Sequence, residues 1–360
     1  MEKEIASICN EMRPTETEIE EMEPIALFDT NKAIELEPKV GHGNQSLMIT
    51  LKAKLHNMKR ACEGQLIQFG VIEKSDTIRV YQVWPGKNVF FLHGRLICGP
   101  NPRGLMFTAT SIVLSSWIFA RYVVKDMPHH HSALIVTFSL VFTFVVLVNL
   151  IQVSTTDPGI IPRNNNDQET LELEKAGTSD GTRSKKATIN GVEVKLKYCR
   201  VCKIFRPPRS SHCAICDNCV ERYDHHCPWV GQCIGLRNCR SYMALVISGL
   251  IFFVYIFAFS CWILHRKNVH GFIGMVKTCP ETLALTALAF NAIGFLGALA
   301  IYHVYLIAIN QTAYENFRQR YVGSKNPYDR GILNNFKDAF FAAVPLPRVD
   351  FRAEVVNCDT

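Results

Sequence analysis

Eight of the chain's 14 cysteines fall between residues 199 and 239, interleaved with histidines. Residues 199–219 laid over 213–233, a shift of 14, place Cys199 on Cys213, Cys202 on Cys216, His212 on His226 and Cys219 on Cys233. The pattern C-x2-C-x9-H-x6-C therefore occurs twice and overlaps itself. Each copy supplies three thiolates and one imidazole, the closed tetrahedral donor set of a structural zinc ion. Two such ions are expected, one held by Cys199, Cys202, His212 and Cys219, the other by Cys213, Cys216, His226 and Cys233. The interleaving also sends the neighbours His212 and Cys213 to different metals. This partition rests on the repeat alone, and grouping the ligands in sequential order stays open.

A third copy would begin at Cys227, but its next ligand position is Val230 and the later ones are Arg240 and Ile247. Asp224, His225 and Cys227 are thus left outside both ligand sets. They are the types that nucleophilic catalysis needs: a thiol to attack, an imidazole to take its proton, and a carboxylate to hold the imidazole in the right tautomer. A neighbouring cation or metal lowers a thiol's pKa, and two fixed ions would hold the loop rigid. The competing reading is an inert spare cysteine in a zinc module.

The elements that must position these groups are read from hydropathy. Residues 105–120, 133–153, 243–264 and 283–309 carry no Lys, Arg, Asp or Glu, and each is about the 20 residues that a helix needs to cross the hydrocarbon of a bilayer. Helices of a soluble core rarely stay apolar on all faces for so long. Lys and Arg set the orientation. Fourteen of them lie in 154–241, between the second and third windows, against Arg121 and Lys125 in one opposite loop and Arg266, Lys267 and Lys277 in the other. Both termini and the cysteine-rich segment are expected in the cytosol, where thiols stay reduced and metal binding is a better reading than disulfides. The net charge of +7 then belongs beside an anionic leaflet and is no nucleic-acid footprint.

The fold class expected is an all-α polytopic membrane protein whose cytosolic double-zinc domain consists of short hairpins and loops. Its parts are a disordered N-terminal region (1–78), an interfacial segment (79–104), the first two membrane helices (105–153), a linker (154–190), the cysteine-rich domain (191–241), the last two membrane helices (242–309) and a cytosolic C-terminal region (310–360).

Residues 199–242 resemble the cysteine-rich domain of the DHHC protein S-acyltransferases, or palmitoyltransferases, and sit between the second and third of four membrane helices as in that family. Asp157-Pro158-Gly159 is similar to the family's motif after the second helix. Asn326-Pro327-Tyr328 with Gly331 and Asn335 is similar to its C-terminal motif, and residues 79–104 resemble plant members. The resemblance covers about 79–345. It implies a two-step reaction in which Cys227 takes an acyl group from palmitoyl-CoA or a related acyl-CoA as a thioester, then passes it to a cysteine of a membrane-associated protein substrate. It also implies His225 as the base, Asp224 as its orienting partner, His226 as a zinc ligand, and a host membrane in the Golgi, the plasma membrane or another endomembrane. Two positions depart from the family. Ala313 replaces the second Thr of Thr-Thr-x-Glu, a residue that supports the site in the family, so reduced activity is expected. Cys239 replaces the usual Tyr.

A palmitoyl tail gains about 0.8 kcal/mol per buried CH₂, so the thiol must lie at the membrane surface. The small residues Gly294, Gly297, Ala298 and Ala300 leave room for an acyl slot, or simply let helices pack. Lys203, Arg206, Arg209, Arg222 and Arg237 could meet CoA phosphates, and His303 either faces the site or packs through a hydrogen bond. The rival function is a membrane-anchored zinc adaptor that recruits partners without catalysis. A ubiquitin ligase of the RING type would need a further C-x2-C pair.

Overall fold

The computed structural model of the chain describes residues 78–127, 129–164, 184–267 and 271–355. The expected N-terminal region up to residue 77, linker residues 165–183 and the end of the C-terminal region (356–360) lie outside the described residues, as do the side chains of 129–131.

The apolar windows form helices. α1 (Arg103–Ile118) continues through a π-helical turn (Phe119–Val123) and a 3-10 turn (Val124–Asp126). It is followed by α2 (His129–Thr155), α3 (Cys239–Arg266), the short α4 (Gly271–Thr278) and α5 (Pro280–Ala308). The segments Arg103–Asp126, Ser132–Thr155, Cys239–Arg266 and Pro280–Ala308 are long and apolar enough to cross a membrane. Their outward faces carry large apolar side chains such as Phe144 and Ile301, which water would penalise and hydrocarbon would not. Inside the bundle, polar groups tie helices together: Thr143 donates to Ser116 (2.8 Å), Asn149 to Ser248 (3.1 Å) and Tyr255 to the Ile135 carbonyl (2.8 Å).

The cysteine-rich segment and its flanks are built of strands, so the all-α expectation is corrected. Before α1 come β1 (Val89–Phe91) and β2 (Leu96–Cys98); after α2 come β3 (Ile160–Ile161), β4 (Ser184–Ile189), β5 (Val192–Cys199), β6 (Ile204–Phe205), β7 (Ser211–Cys213), β8 (Asn218–Val220), β9 (His225–Cys227) and β10 (Gln232–Ile234). Ligands separated by a few residues can meet only if the chain doubles back, and a short antiparallel hairpin satisfies the backbone while it does so. β4 starts inside the stretch expected as linker. It pairs with β5 across Asn190-Gly191, both at positive φ (48° and 79°), the signature of a two-residue hairpin turn.

Beyond α5 the chain forms α6 (Ala313–Phe317) and α7 (Ile332–Phe341). Thr312 and Glu315 make a reciprocal capping box on α6. The carbonyls at the C-terminal end of α5 lack helical partners, and the Asn residues of the C-terminal motif supply donors: Asn335 to Ala308 O (2.8 Å), and Asn326 to Ile309 O (2.8 Å) and Asn310 O (3.1 Å). Phe351 packs at 5.0 Å on both Trp84 and Phe90, joining the C-terminal segment to the segment before α1.

Candidate functional site

The 14-residue repeat is a backbone repeat. Cys199, Cys213 and Cys227 each end a strand, and the next strand begins at Ile204, Asn218 and Gln232. The register recurs as well, with Cys199 opposite Ile204, Cys213 opposite Asn218 and Cys227 opposite Gln232. Even the left-handed turn residue recurs, at Lys203 (φ 53°), Asp217 (54°) and Gly231 (70°).

Strand alternation then distributes the ligands. Successive side chains point to opposite faces, while cross-strand partners share a face. His212 lies opposite Cys219, and His226 opposite Cys233. Each such pair faces the turn of the preceding hairpin, where Cys199 and Cys202, or Cys213 and Cys216, wait. One donor atom from each of Cys199, Cys202, His212 and Cys219 lies within 4.8 Å of the other three, and Cys213, Cys216, His226 and Cys233 meet the same limit. Both groups could hold a metal ion. Metal–sulfur bonds near 2.3 Å and metal–nitrogen bonds near 2.0 Å put tetrahedral neighbours roughly 3.5–3.8 Å apart. The second group fits, with His226 Nδ1 3.8, 3.4 and 3.6 Å from the sulfurs of Cys213, Cys216 and Cys233. In the first, His212 Nδ1 is 3.4 Å from Cys202 and 3.9 Å from Cys219, and its Nε2 is 3.4 Å from the Asp217 carboxylate, an outer partner that fixes the ring.

The same alternation turns His225 and Cys227 away from His226 and from both metal groups. Cys227 is 5% exposed and packs in the apolar core with Val230, Ile234, Tyr242, Met243 and Val246, at the end of the helix bundle. Val230 occupies the turn position that Cys202 and Cys216 hold in the earlier hairpins. His225 Nδ1 lies 2.7 Å from Asp224 Oδ2, which leaves Nε2 for the Cys227 thiol two residues further along the same strand. Burial alone would lower the His225 pKa, but Asp224 and Cys227 outweigh it and raise it to about 9. Burial likewise opposes ionisation of Asp224, yet hydrogen bonds from His225 and the Ala313 N–H, with the His303 ring close by, hold its carboxyl well below the usual range.

Ala313 is where the chain departs from the family pattern, and its backbone N–H still donates to Asp224 Oδ1 at 2.7 Å. That contact needs no side chain. The α6 turn which presents it is pinned by Arg209, whose guanidinium binds Glu315 (2.8 Å) and Asn310 (2.9 Å) and lies 4.4 Å from the Tyr328 ring centre.

The hairpin of Cys227 sits directly on α1. A side chain at Gly104 would collide with the Pro228 carbonyl, so the approach requires glycine. Thr108 donates to Trp229 O (2.9 Å), and the Trp229 ring stands 6.0 Å from Phe107 and 6.3 Å from Phe295. On α5, a Cβ at Gly294 or Gly297 would meet no atom within 4 Å, so neither glycine marks a helix–helix contact.

Of the basic residues considered in the sequence, Arg209 is committed to Glu315, and Arg237 lies 3.3 Å from Asp157. Arg222 is half-buried, and the loss of solvent lowers its pKa. Arg206 lines a cavity of about 430 Å³ together with Lys195, Lys197, Ser210, Tyr314, Arg318 and Arg320. Reading the sequence missed Lys195, Lys197, Arg318 and Arg320; the two lysines stand on β5, whose partner β4 lies in the stretch expected as linker.

Residues 192–320 match the family described as DHHC palmitoyltransferase. The chain is similar to Probable protein S-acyltransferase 7 of Arabidopsis thaliana, 44% identical over 295 residues that cover 77% of this chain and 66% of that protein. It is also similar to Probable protein S-acyltransferase 6 of the same organism, 42% identical over 293 residues covering 77% and 71%, and to Protein S-acyltransferase 8, 41% identical over 295 residues covering 77% and 72%. The match spans just under two thirds of the first relative's own length.

Proposed function

The chain belongs to the DHHC palmitoyltransferase family, and from that premise we propose that it is a protein S-acyltransferase with Cys227 as its nucleophile. His225 Nε2 accepts the Cys227 thiol proton while Asp224 holds Nδ1. The sulfur attacks the acyl-CoA carbonyl, a C–S bond forms, and the bond to the CoA sulfur breaks with CoA leaving as a thiol that takes the proton back. A substrate-protein cysteine then attacks the acyl-enzyme by the same route and restores the Cys227 thiol.

Several features support this reading. The thiol heads a hairpin backed by two Cys3His groups whose donor set suits zinc; Cys199, Cys202, His212 and Cys219 would hold one ion, and Cys213, Cys216, His226 and Cys233 the other. Those ions would supply rigidity. The bundle end beside Cys227 suits a tail worth roughly 11 kcal/mol of burial for palmitate, and the basic cavity suits the phosphates of CoA. The Lys and Arg bias supports a cytosolic site with both termini on the same side, in a Golgi, plasma or other endomembrane, acting on membrane-associated proteins.

A single observation carries the proposal: the third hairpin keeps its leading cysteine but not the ligands that would bury it in a metal. Incubation with labelled palmitoyl-CoA tests it. A hydroxylamine-sensitive label is expected on the intact chain and none on Cys227→Ser with zinc content unchanged; equal labelling of both would favour the non-enzymatic adaptor.

A further inference from the structure

His303 lies on α5 inside the bundle and is 5% exposed, in a helix made mostly of apolar and small residues. An imidazole buried among helices is costly unless its nitrogens are engaged. Nδ1 lies 2.9 Å from the Leu299 carbonyl of its own helix. Nε2 finds no hydrogen-bond partner among the described residues, and it points at Asp224 Oδ2, 3.6 Å away. Both facing oxygens can only accept, so each ring nitrogen faces an acceptor. Its face packs on Tyr242, 5.2 Å between ring centres, and Tyr242 in turn stands 5.3 Å from His225.

We infer that His303 is a positioning residue for acyl transfer, holding the Asp224 carboxylate from the membrane side so that Asp224 in turn orients His225. The inference rests on the acyltransferase reading above. Three elements then grip one carboxylate: the strand bearing His225 from one edge of Oδ2, the first residue of α6 through Oδ1, and α5 through the remaining edge of Oδ2. A carboxylate held at both oxygens cannot rotate about its Cβ–Cγ bond, and the tautomer and direction of the His225 ring follow from it. The α5 grip comes from the same helix whose Phe295 meets Trp229 beside the nucleophile. The geometry therefore joins the wall of the bundle to the base that activates the thiol.

The side chain can be dissected. In His303→Gln the terminal amide reaches the place of Nε2 and donates to Asp224. In His303→Asn the shorter amide reaches the place of Nδ1, keeps a donor for Leu299 O, and falls short of Asp224. Both full-length variants and the intact chain are purified in detergent and assayed for zinc content, for KM toward palmitoyl-CoA, and for the rate constant of label uptake at Cys227. His303→Asn is expected to lower the rate constant about tenfold, as loss of an outer partner does, with KM and two zinc ions per chain unchanged. His303→Gln is expected to stay within about threefold of the intact chain, the margin within which the two outcomes separate. In an Asp224→Ala background the two variants should behave alike, since the group they act through is gone. Equal losses in the two variants, unfolding included, or a larger loss in Gln than in Asn, would assign His303 to packing and end the proposal. No label on the intact chain would remove the acyltransferase reading and this proposal with it; a labelled intact chain with equal variants removes this proposal alone.

Discussion

The hairpin of β7 and β8 and the hairpin of β9 and β10 share strand lengths, register and a left-handed turn residue, yet they do different work. In the first, Cys213 and Cys216 meet His226 and Cys233 of the next hairpin. In the second, Cys227 has Val230 in place of the partner cysteine, and the chain runs on into α3 where a further hairpin would bring more ligands. A metal staple between successive hairpins needs a hairpin downstream. The last one in the row has none, and its leading thiol is left facing His225 and the helix bundle. A repeat that stops one unit early thus generates a free cysteine already held in a rigid frame.

The most severe way to break this contrast is to exchange one sulfur from each hairpin. Cys227→Ser should abolish the acyl label and leave two zinc ions per chain, whereas Cys233→Ala should lose one zinc and several kcal/mol of stability. Metal content and thermal unfolding measured side by side check this, and equal zinc loss in both would erase the distinction. Next in size, Asp224→Asn should slow label uptake by roughly two to four orders of magnitude at unchanged zinc, as an orienting carboxylate does in a triad; a change under threefold would remove its role. Restoring the turn ligand tests the contrast from the other side: Val230→Cys should make autoacylation at least tenfold more sensitive to added zinc, because two thiolates at knuckle spacing bind the ion where one does not. The stretch between β6 and β7, just ahead of the first of these hairpins, contributes Arg206 to the basic cavity. Arg206→Glu or Arg318→Glu should raise KM for palmitoyl-CoA about tenfold with kcat little changed, the loss of one charge-assisted contact. The smallest effect is expected at Ala313→Thr, with label uptake close to that of the intact chain, because the contact to Asp224 comes from the backbone. A larger gain would mean that a side-chain hydroxyl is needed after all.

How far the sequence could be read differs from element to element. The four apolar helices stand out because lipid asks for apolarity on every face, a property carried by composition alone. The ligand sets were visible because each hairpin repeats with its ligands at fixed offsets. The strands carrying them were harder to see, since runs of two or three residues leave too little alternation for a period to register. The β4–β5 hairpin is different. Asn190-Gly191 between alternating runs was a usable signal, and the polar composition around it concealed it. His303 was noticed as a polar residue near a membrane helix end, but which way it faced could not be read from a helix with no polar stripe.

The one-dimensional pattern by itself determined the donor types, their 14-residue spacing, the leftover Asp224, His225 and Cys227, and four spans fit for a bilayer, since hydropathy and ligand periodicity are local properties of the chain. Tertiary structure alone decided what grips Asp224 and which cations share a cavity. The Ala313 N–H reaches Asp224 across 89 residues of sequence, and Lys195, which precedes α3 in the chain, lines one cavity with Arg320, which follows α5. Contacts between segments so far apart depend on how helices and hairpins pack, and neither spacing nor residue type encodes that path.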